Sequence, residues 1–229
     1  MNARAYILAV SKPWVLQAFE AARHRLPGEW SIVRNHADLE AAAASHSPRY
    51  IFFPHWSELV PREITENFEC VCFHMTDLPF GRGGSPLQNL IAAGHSETML
   101  TALRMTDTLD AGPIYAKRPL SLAGSASEIF SRAAPIVCEL IEMIVETEPQ
   151  PTAQSGTPTH FRRRRPDDSR LPADVEVARL YDHIRMLDAP GYPKAFVRDG
   201  PWRVEFDQAR LGENGLEARA VFSRDETSE

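Results

Sequence analysis

Apolar and polar positions along this chain fall into two rhythms. Ala5–Val10 is an unbroken apolar run, the pattern of a strand covered on both faces. Ser11-Lys12-Pro13 follows it; Ser11 is placed to cap a helix and Pro13 fits its first turn. Trp14, Leu16 and Phe19 carry that helix to about His24. Ser31–Val33, Arg49–Phe53, Glu69–His74 and Thr98–Met105 read as further strands, and Ala37–Ala44 as an alanine-rich helix. Strands alternating with helices predict an α/β architecture, a mostly parallel sheet with helices on both faces. Ligands of such sheets bind outside the carboxyl ends of the strands. On this reading His74 and the loop after Met105 both lie there.

The rhythm changes after Ser125. Ser125-Ala126-Ser127-Glu128 is a capping box. Ile129, Ala133, Ile136, Val137, Leu140, Ile141 and Ile144 then recur at helical spacing to about Glu146. Pro135 inside that run predicts a kink. Glu148–Pro158 is rich in Pro, Thr and Gln and reads as a linker. After the basic stretch from His160 to Pro166, Asp174–Leu187 places Val177, Leu180, Tyr181 and Ile184 on one helix face. Ala195–Val197, Arg203–Phe206 and Leu216–Phe222 read as short antiparallel strands between Gly-containing turns. The expected division is a main domain over 1–150, a linker over 151–173, a small C-terminal α+β module (helix plus antiparallel strands) over 174–223, and a disordered tail over 224–229.

Composition changes this picture little. With 229 residues, 43% hydrophobic and 24% charged, the chain is an ordinary globular one. Its net charge of −6 argues against a nucleic-acid partner. The apolar run ending at Val10 is too short for a membrane span and carries no cleavage pattern, so no membrane partner and a cytoplasmic location are expected. Three cysteines without ligand spacing fit a reducing compartment and predict no metal. No Gly-x-Gly-x-x-Gly follows the first strand, which argues against a dinucleotide there.

The stretch from Phe73 to Tyr115 concentrates the candidate chemistry. It opens Phe73-His74-Met75-Thr76-Asp77-Leu78-Pro79. It passes through Gly81-Arg82-Gly83-Gly84-Ser85-Pro86-Leu87-Gln88-Asn89 and closes Leu109-Asp110-Ala111-Gly112-Pro113-Ile114-Tyr115. A histidine at a strand end, a turn-rich loop and an aspartate on a Gly-Pro turn are how an active site is usually built, which makes His74 a candidate acid/base and Asp110 the candidate carboxylate orienting it.

These residues resemble the folate-dependent formyltransferases. The family pattern is Asn-x-His, a Leu-Pro turn, Arg-Gly and Pro, and later Leu-Asp-x-Gly. Here His74, Leu78-Pro79, Arg82-Gly83, Pro86 and Leu109-Asp110-Ala111-Gly112 take those places, and the His-to-Asp separation, 110 − 74 = 36 residues, matches the family's. The likeness covers residues 4–150 and, more loosely, 160–210. It implies a Rossmann-like sheet lacking the dinucleotide fingerprint, a formyltransferase catalytic domain over 1–150, N10-formyltetrahydrofolate as formyl donor, and His74 and Asp110 as catalytic residues.

One place departs from the pattern. The family's asparagine falls on Cys72, which cannot give amide hydrogen bonds to a formyl oxygen. The oxyanion donor is then expected from a backbone N–H of the Gly81–Ser85 loop, from Asn89, or from His74 itself. The likeness further implies cofactor binding by Phe53, Pro54, His55 and Trp56 and by Met105, Thr106 and Leu109. Lys12, Arg82, Gly83 and Asn89 are the candidate substrate contacts. The run Arg162–Arg165 is left open between a phosphate clamp and a solvated or ion-paired stretch. Together with Ile184–Pro193, the wording of these segments resembles a bacterial subgroup, and the acceptor implied is the amine of a nucleotide-linked amino sugar in surface-glycan biosynthesis. Hydroxyornithine, an aminoacyl thioester and methionyl-tRNA are the alternative acceptors. A catalytically inactive relative is the alternative from another class, and a homodimer is left open.

Overall fold

The computed structural model describes residues 4–56 and 58–224; residues 225–229 of the expected tail lie outside them. In chain order the elements are β1 (Ala5–Ala9), α1 (Pro13–Ala22), β2 (Glu29–Val33), α2 (His36–His46), β3 (Tyr50–Phe53), α3 (Arg62–Asn67), β4 (Cys70–His74) and the two-residue β5 (Arg82–Gly83). Then come α4 (Pro86–Ala92), β6 (Glu97–Arg104), β7 (Ile114–Ser121), α5 (Ala126–Thr147), the short β8 (His160–Phe161), α6 (Val177–Arg185), β9 (Ala195–Asp199), β10 (Trp202–Gly212) and β11 (Gly215–Arg224). They form two compact units that interleave along the chain. One comprises Met1–Gly83, Thr98–Leu120 and Ser131–His160; the other comprises Gly84–Glu97, Ser121–Phe130 and Phe161–Glu229.

The first unit holds a six-stranded sheet in the order β2-β1-β3-β4-β6-β7. β1 pairs parallel with β2 and β3, and β3 pairs parallel with β4. β6 runs antiparallel to β4, with His74 opposite Thr101 and Val71 opposite Arg104. The sheet is thus mostly parallel, with helices on both faces. Side chains two apart share a face. One face carries Ile7, Ala9, Val33, Ile51, Phe53 and Cys70, packed with Leu39 and Ala43 of α2 and Ile64 of α3. The opposite face is aromatic: Tyr6, Trp30, Tyr50, Phe52 and Phe73 contact one another, and Phe19 of α1 meets Trp30 edge-on at 5.0 Å. No helix among the described residues is long and apolar enough to cross a membrane.

The second unit holds α4, α6 and an antiparallel sheet in the order β11-β10-β9. Gln88 of α4 donates to Met186 O at 3.2 Å, and Arg179 of α6 to Ala92 O at 2.7 Å. The capping box at Ser125 forms: Ser125 N–H donates to Glu128 at 2.7 Å and Glu128 N–H to Ser125 Oγ at 3.3 Å.

Two local expectations are corrected. Lys12, not Ser11, is the cap residue of α1, and Ser11 Oγ instead donates to His55 O at 2.9 Å. The loop after Met105 does not leave from a carboxyl end shared with β4. Because β6 is antiparallel to β4, Met105 sits at the Cys70 end, where its N–H donates to Cys70 O at 2.8 Å.

Candidate active site

The catalytic candidates lie in the first unit. β4 delivers His74 at its carboxyl end, nearly buried. Its Nε2 lies 2.8 Å from the carbonyl oxygen of Gly81, and its Nδ1 lies 3.6 Å from Asp110 Oδ2. Both neighbours are acceptors. The Gly81 carbonyl is within hydrogen-bond reach of the ring, and the carboxylate stands just beyond it on the other side.

Asp110 reaches His74 from the far end of the sheet. The segment 105–112 starts beside Cys70 and doubles back. Arg104 N–H donates to Pro113 O at 2.9 Å, closing the base of the turn. Gly112 is required there, because a Cβ would overlap the Arg104 carbonyl oxygen. At the tip Asp110 adopts φ +53, in the left-handed region that aspartate tolerates better than most residues. Its Oδ2 also accepts the Gly83 N–H at 2.9 Å.

A residue that the sequence did not flag braces this arrangement. Gln154, in the stretch read as a linker, donates from Nε2 to both Asp110 O and Gly112 O at 2.8 Å. Its Oε1 accepts from Arg82 Nε at 3.2 Å and Arg82 Nη2 at 2.7 Å. Nearby, Thr152 exchanges backbone hydrogen bonds with Ile114 at 2.7 and 2.8 Å.

The proposed oxyanion donors are mostly engaged elsewhere. The N–H groups of Gly81, Arg82, Gly83 and Gly84 bond Thr159 Oγ1, Thr159 O, Asp110 Oδ2 and Phe161 O respectively. Asn89 spends its amide on Gly84 O and Arg162 O, both at 3.0 Å. Those backbone groups and Asn89 are therefore corrected from free donors to structural clasps. Of the groups considered, the Ser85 N–H and His74 are left.

Cys72 shares the His74 face of β4 and packs against the apolar cluster. Burial, then the Asp110 charge, then Cys70 push its thiol far above the ordinary range, so it is a neutral S–H beside the carboxylate. The Cys70 thiol is pushed up to about 12, mainly by burial.

The segments read as cofactor walls each send side chains to one apolar cluster. Phe53, Trp56 and Met105 join one cluster with Cys72, and Trp56 meets Phe53 edge-on at 6.0 Å. The buried Trp56 Nε1–H has no hydrogen-bond acceptor among the described residues. Apolar walls around one unspent donor suit a flat heteroaromatic ring with acceptors on its rim, so these residues fit the pterin of a folate. Leu109 is 66% exposed beside Asp110, and Thr106 donates to Thr108 O at 3.2 Å. Pro54 is buried. His55 holds φ +54, and burial followed by the nearby Lys12 charge lowers its pKa to about 4. Lys12 Nζ stands 5.8 Å from the Trp14 ring centre. In the second unit Arg162 pairs with Asp168 at 3.0 Å, Arg164 bonds the Asp168 carbonyl, and burial lowers the Arg164 pKa.

An open cavity of the first unit lies elsewhere, at the amino ends of β1, β3 and β4. It measures about 790 Å³ and is lined by Arg4, His46, Arg49, Glu66, Phe68, Glu69 and Arg104 among others. Its charges largely pair with each other or with Glu148: Arg49 with Glu69 and, at 3.1 Å, with Glu148, and Arg4 with Glu148. No acid–base pair of the His74–Asp110 kind is among them, so the chemistry is sought at His74.

Comparison with known proteins agrees with this fold. A methionyl-tRNA formyltransferase from Clostridium thermocellum is 40% identical, with a TM-score of 0.94 over 97% of this chain and 100% of that one. This chain belongs to the formyltransferase family. Residues 166–223 match the family profile described as the methionyl-tRNA formyltransferase C-terminal domain. The methionyl-tRNA formyltransferase of Sorangium cellulosum is 29% identical over 151 residues, 62% of this chain and 48% of that protein. The chain thus spans about half the length of the curated relatives it matches. A Mycobacterium tuberculosis protein described as a likely sugar N-formyltransferase shares the fold, with a TM-score of 0.66 at 17% identity over 97% of each chain.

Proposed function

We propose that this formyltransferase-family chain transfers a formyl group from N10-formyltetrahydrofolate to the amine of a nucleotide-linked amino sugar, in the cytoplasm. The observation that carries the transfer step is the His74 ring, held between the Gly81 carbonyl and the Asp110 carboxylate. The neutral amine attacks the formyl carbon, the C–N10 bond breaks, and N10 leaves with a proton while the amine loses one. The Nε2 side of His74 serves the oxyanion and then the leaving nitrogen, while Asp110 holds the Nδ1 side of the ring. When Nε2–H turns from Gly81 O to the substrate, Asp110 keeps the other side of the ring fixed. Phe53, Trp56 and Met105 would wall the pterin, and Arg82 and Lys12 would face the anionic part of the acceptor.

The acidic net charge of −6 counts against gripping a tRNA and is compatible with a smaller acceptor, and the fold is one also seen in a protein described as a likely sugar N-formyltransferase. The name of the 40% identical relative favours methionyl-tRNA as a second reading. The test is incubation with N10-formyltetrahydrofolate and a panel of amino-sugar nucleotides, hydroxyornithine and methionyl-tRNA, followed by mass spectrometry. A formylated sugar nucleotide is expected. Formylation of methionyl-tRNA alone would replace the acceptor and keep the chemistry, and formylation of nothing would defeat the whole reading.

A further inference from the structure

We propose that Gln154 is the positioning residue that sets Asp110 and Arg82 together, and that its neutrality leaves the Arg82 charge free for an anionic acceptor. This rests on the roles given above to His74 and Asp110.

An amide offers two N–H donors and two acceptor lone pairs, and Gln154 uses all four. Nε2 serves Asp110 O and Gly112 O, and Oε1 receives Arg82 Nε and Nη2. A carboxylate has no donors for the two carbonyls, a cation has no acceptor for Arg82, and asparagine is one methylene shorter. Only the glutamine amide spans all three segments.

Both ends of the hydrogen bond that anchors the catalytic carboxylate depend on this clasp. Gly83, whose N–H holds Asp110 Oδ2, directly follows Arg82. Asp110 itself sits in a left-handed conformation that a clasp on its carbonyl helps to hold. A glutamate in this place would cancel the Arg82 charge. The amide does not, and Arg82 Nη1 has no hydrogen-bond or ion-pair partner among the described residues. A guanidinium fixed along one edge and unspent on the other suits a phosphate or carboxylate.

Two variants test this. Gln154→Ala removes both halves of the clasp and should lower turnover by about 10²-fold, the scale of a roughly 1 Å misplacement. Gln154→Glu keeps an acceptor for Arg82, adds a negative charge and loses both donors. It should additionally raise KM for the anionic acceptor, and part of its turnover should return at low pH, where a protonated carboxyl regains one donor. The second readout needs no activity: the ring 15N resonances of His74 in the substrate-free protein. They should move in Gln154→Ala in the direction they move in Asp110→Asn. Should the alanine variant fail to fold, the glutamate variant carries the same readout. Ring resonances unchanged in the variant measured, while Asp110→Asn moves them, would overturn the proposal. If the wild type transfers formyl to no acceptor, the functional reading fails separately, and the resonances still judge Gln154.

Discussion

The two ends of β4 handle charge in opposite ways. At the Cys70 end full charges meet full charges. Arg49 pairs with Glu69 and Glu148, Arg4 pairs with Glu148, and the Tyr115 hydroxyl donates to Glu69 at 2.6 Å. At the His74 end charged groups meet mostly neutral, rigid ones: a carbonyl for the imidazole, a backbone N–H for the carboxylate and an amide for Arg82. Mutual pairing cancels the field and leaves stability. Neutral partners fix position and leave the charge for a ligand. The open cavity of about 790 Å³ lies with the cancelled charges.

This contrast can be broken from the His74 end first. His74→Ala should lower the transfer rate by about 10²–10⁴-fold with a melting temperature close to wild type, measured in single turnover with N10-formyltetrahydrofolate. Retention of more than about a tenth of the rate would take His74 out of the mechanism. Asp110→Asn keeps an acceptor for the Gly83 N–H and loses the charge beside the ring, so a fall nearer the lower end of that range, about 10²-fold, is expected. An undiminished rate would make Asp110 a turn former only.

The other end should respond in stability alone. Arg49→Met leaves Glu69 with the Tyr115 hydroxyl alone and Glu148 with Arg4 alone, and with these side chains 22–32% exposed the loss should be about 1 kcal/mol, read from urea melts, with turnover unchanged. Burial alone would raise the Glu69 pKa, but the Tyr115 hydroxyl and Arg49 outweigh it and hold the carboxyl below its usual value. Its stabilisation is therefore present above the unfolded carboxylate pKa of about 4.3 and fades as pH drops through the lower folded value. Arg49→Met should flatten that acid limb. A fall in turnover as large as that of Asp110→Asn would erase the distinction between the two ends.

Cys72→Asn should have the smallest effect. Cys72 shares the His74 face and lies close enough to feel the Asp110 charge, so an amide there should hold or raise the transfer rate. Its cost in stability should stay within about 1–3 kcal/mol. A drop in both rate and stability would show that the amide finds no partner in this site.

What the sequence made legible follows from what periodicity can carry. The apolar runs of β1, β3 and β4 stand out because both faces of those strands are covered, and the capping box at Ser125 needs only four neighbouring residues. β7 escaped because Lys117, Arg118 and Pro119 break its apolar pattern, and α3 because it has only six residues. The direction of β6 is invisible to any local pattern, so the path of Asp110 was misplaced although its partner was named. Gln154 left no trace because its four hydrogen bonds go to groups that are remote in sequence, and a Pro- and Thr-rich setting disguised it. Ser11 shows the converse: a plausible local cap whose hydroxyl goes to a distant carbonyl.

The turn that carries Asp110 is sewn shut below its tip, by the Arg104 N–H to Pro113 O hydrogen bond and by Gly112 lying on the Arg104 carbonyl. Strand registry beneath that stitch does not depend on what the tip contains. Within the turn, Leu109 is 66% exposed beside Asp110, so a change of its side chain can reshape the wall next to the carboxylate without touching a hydrogen bond of the sheet.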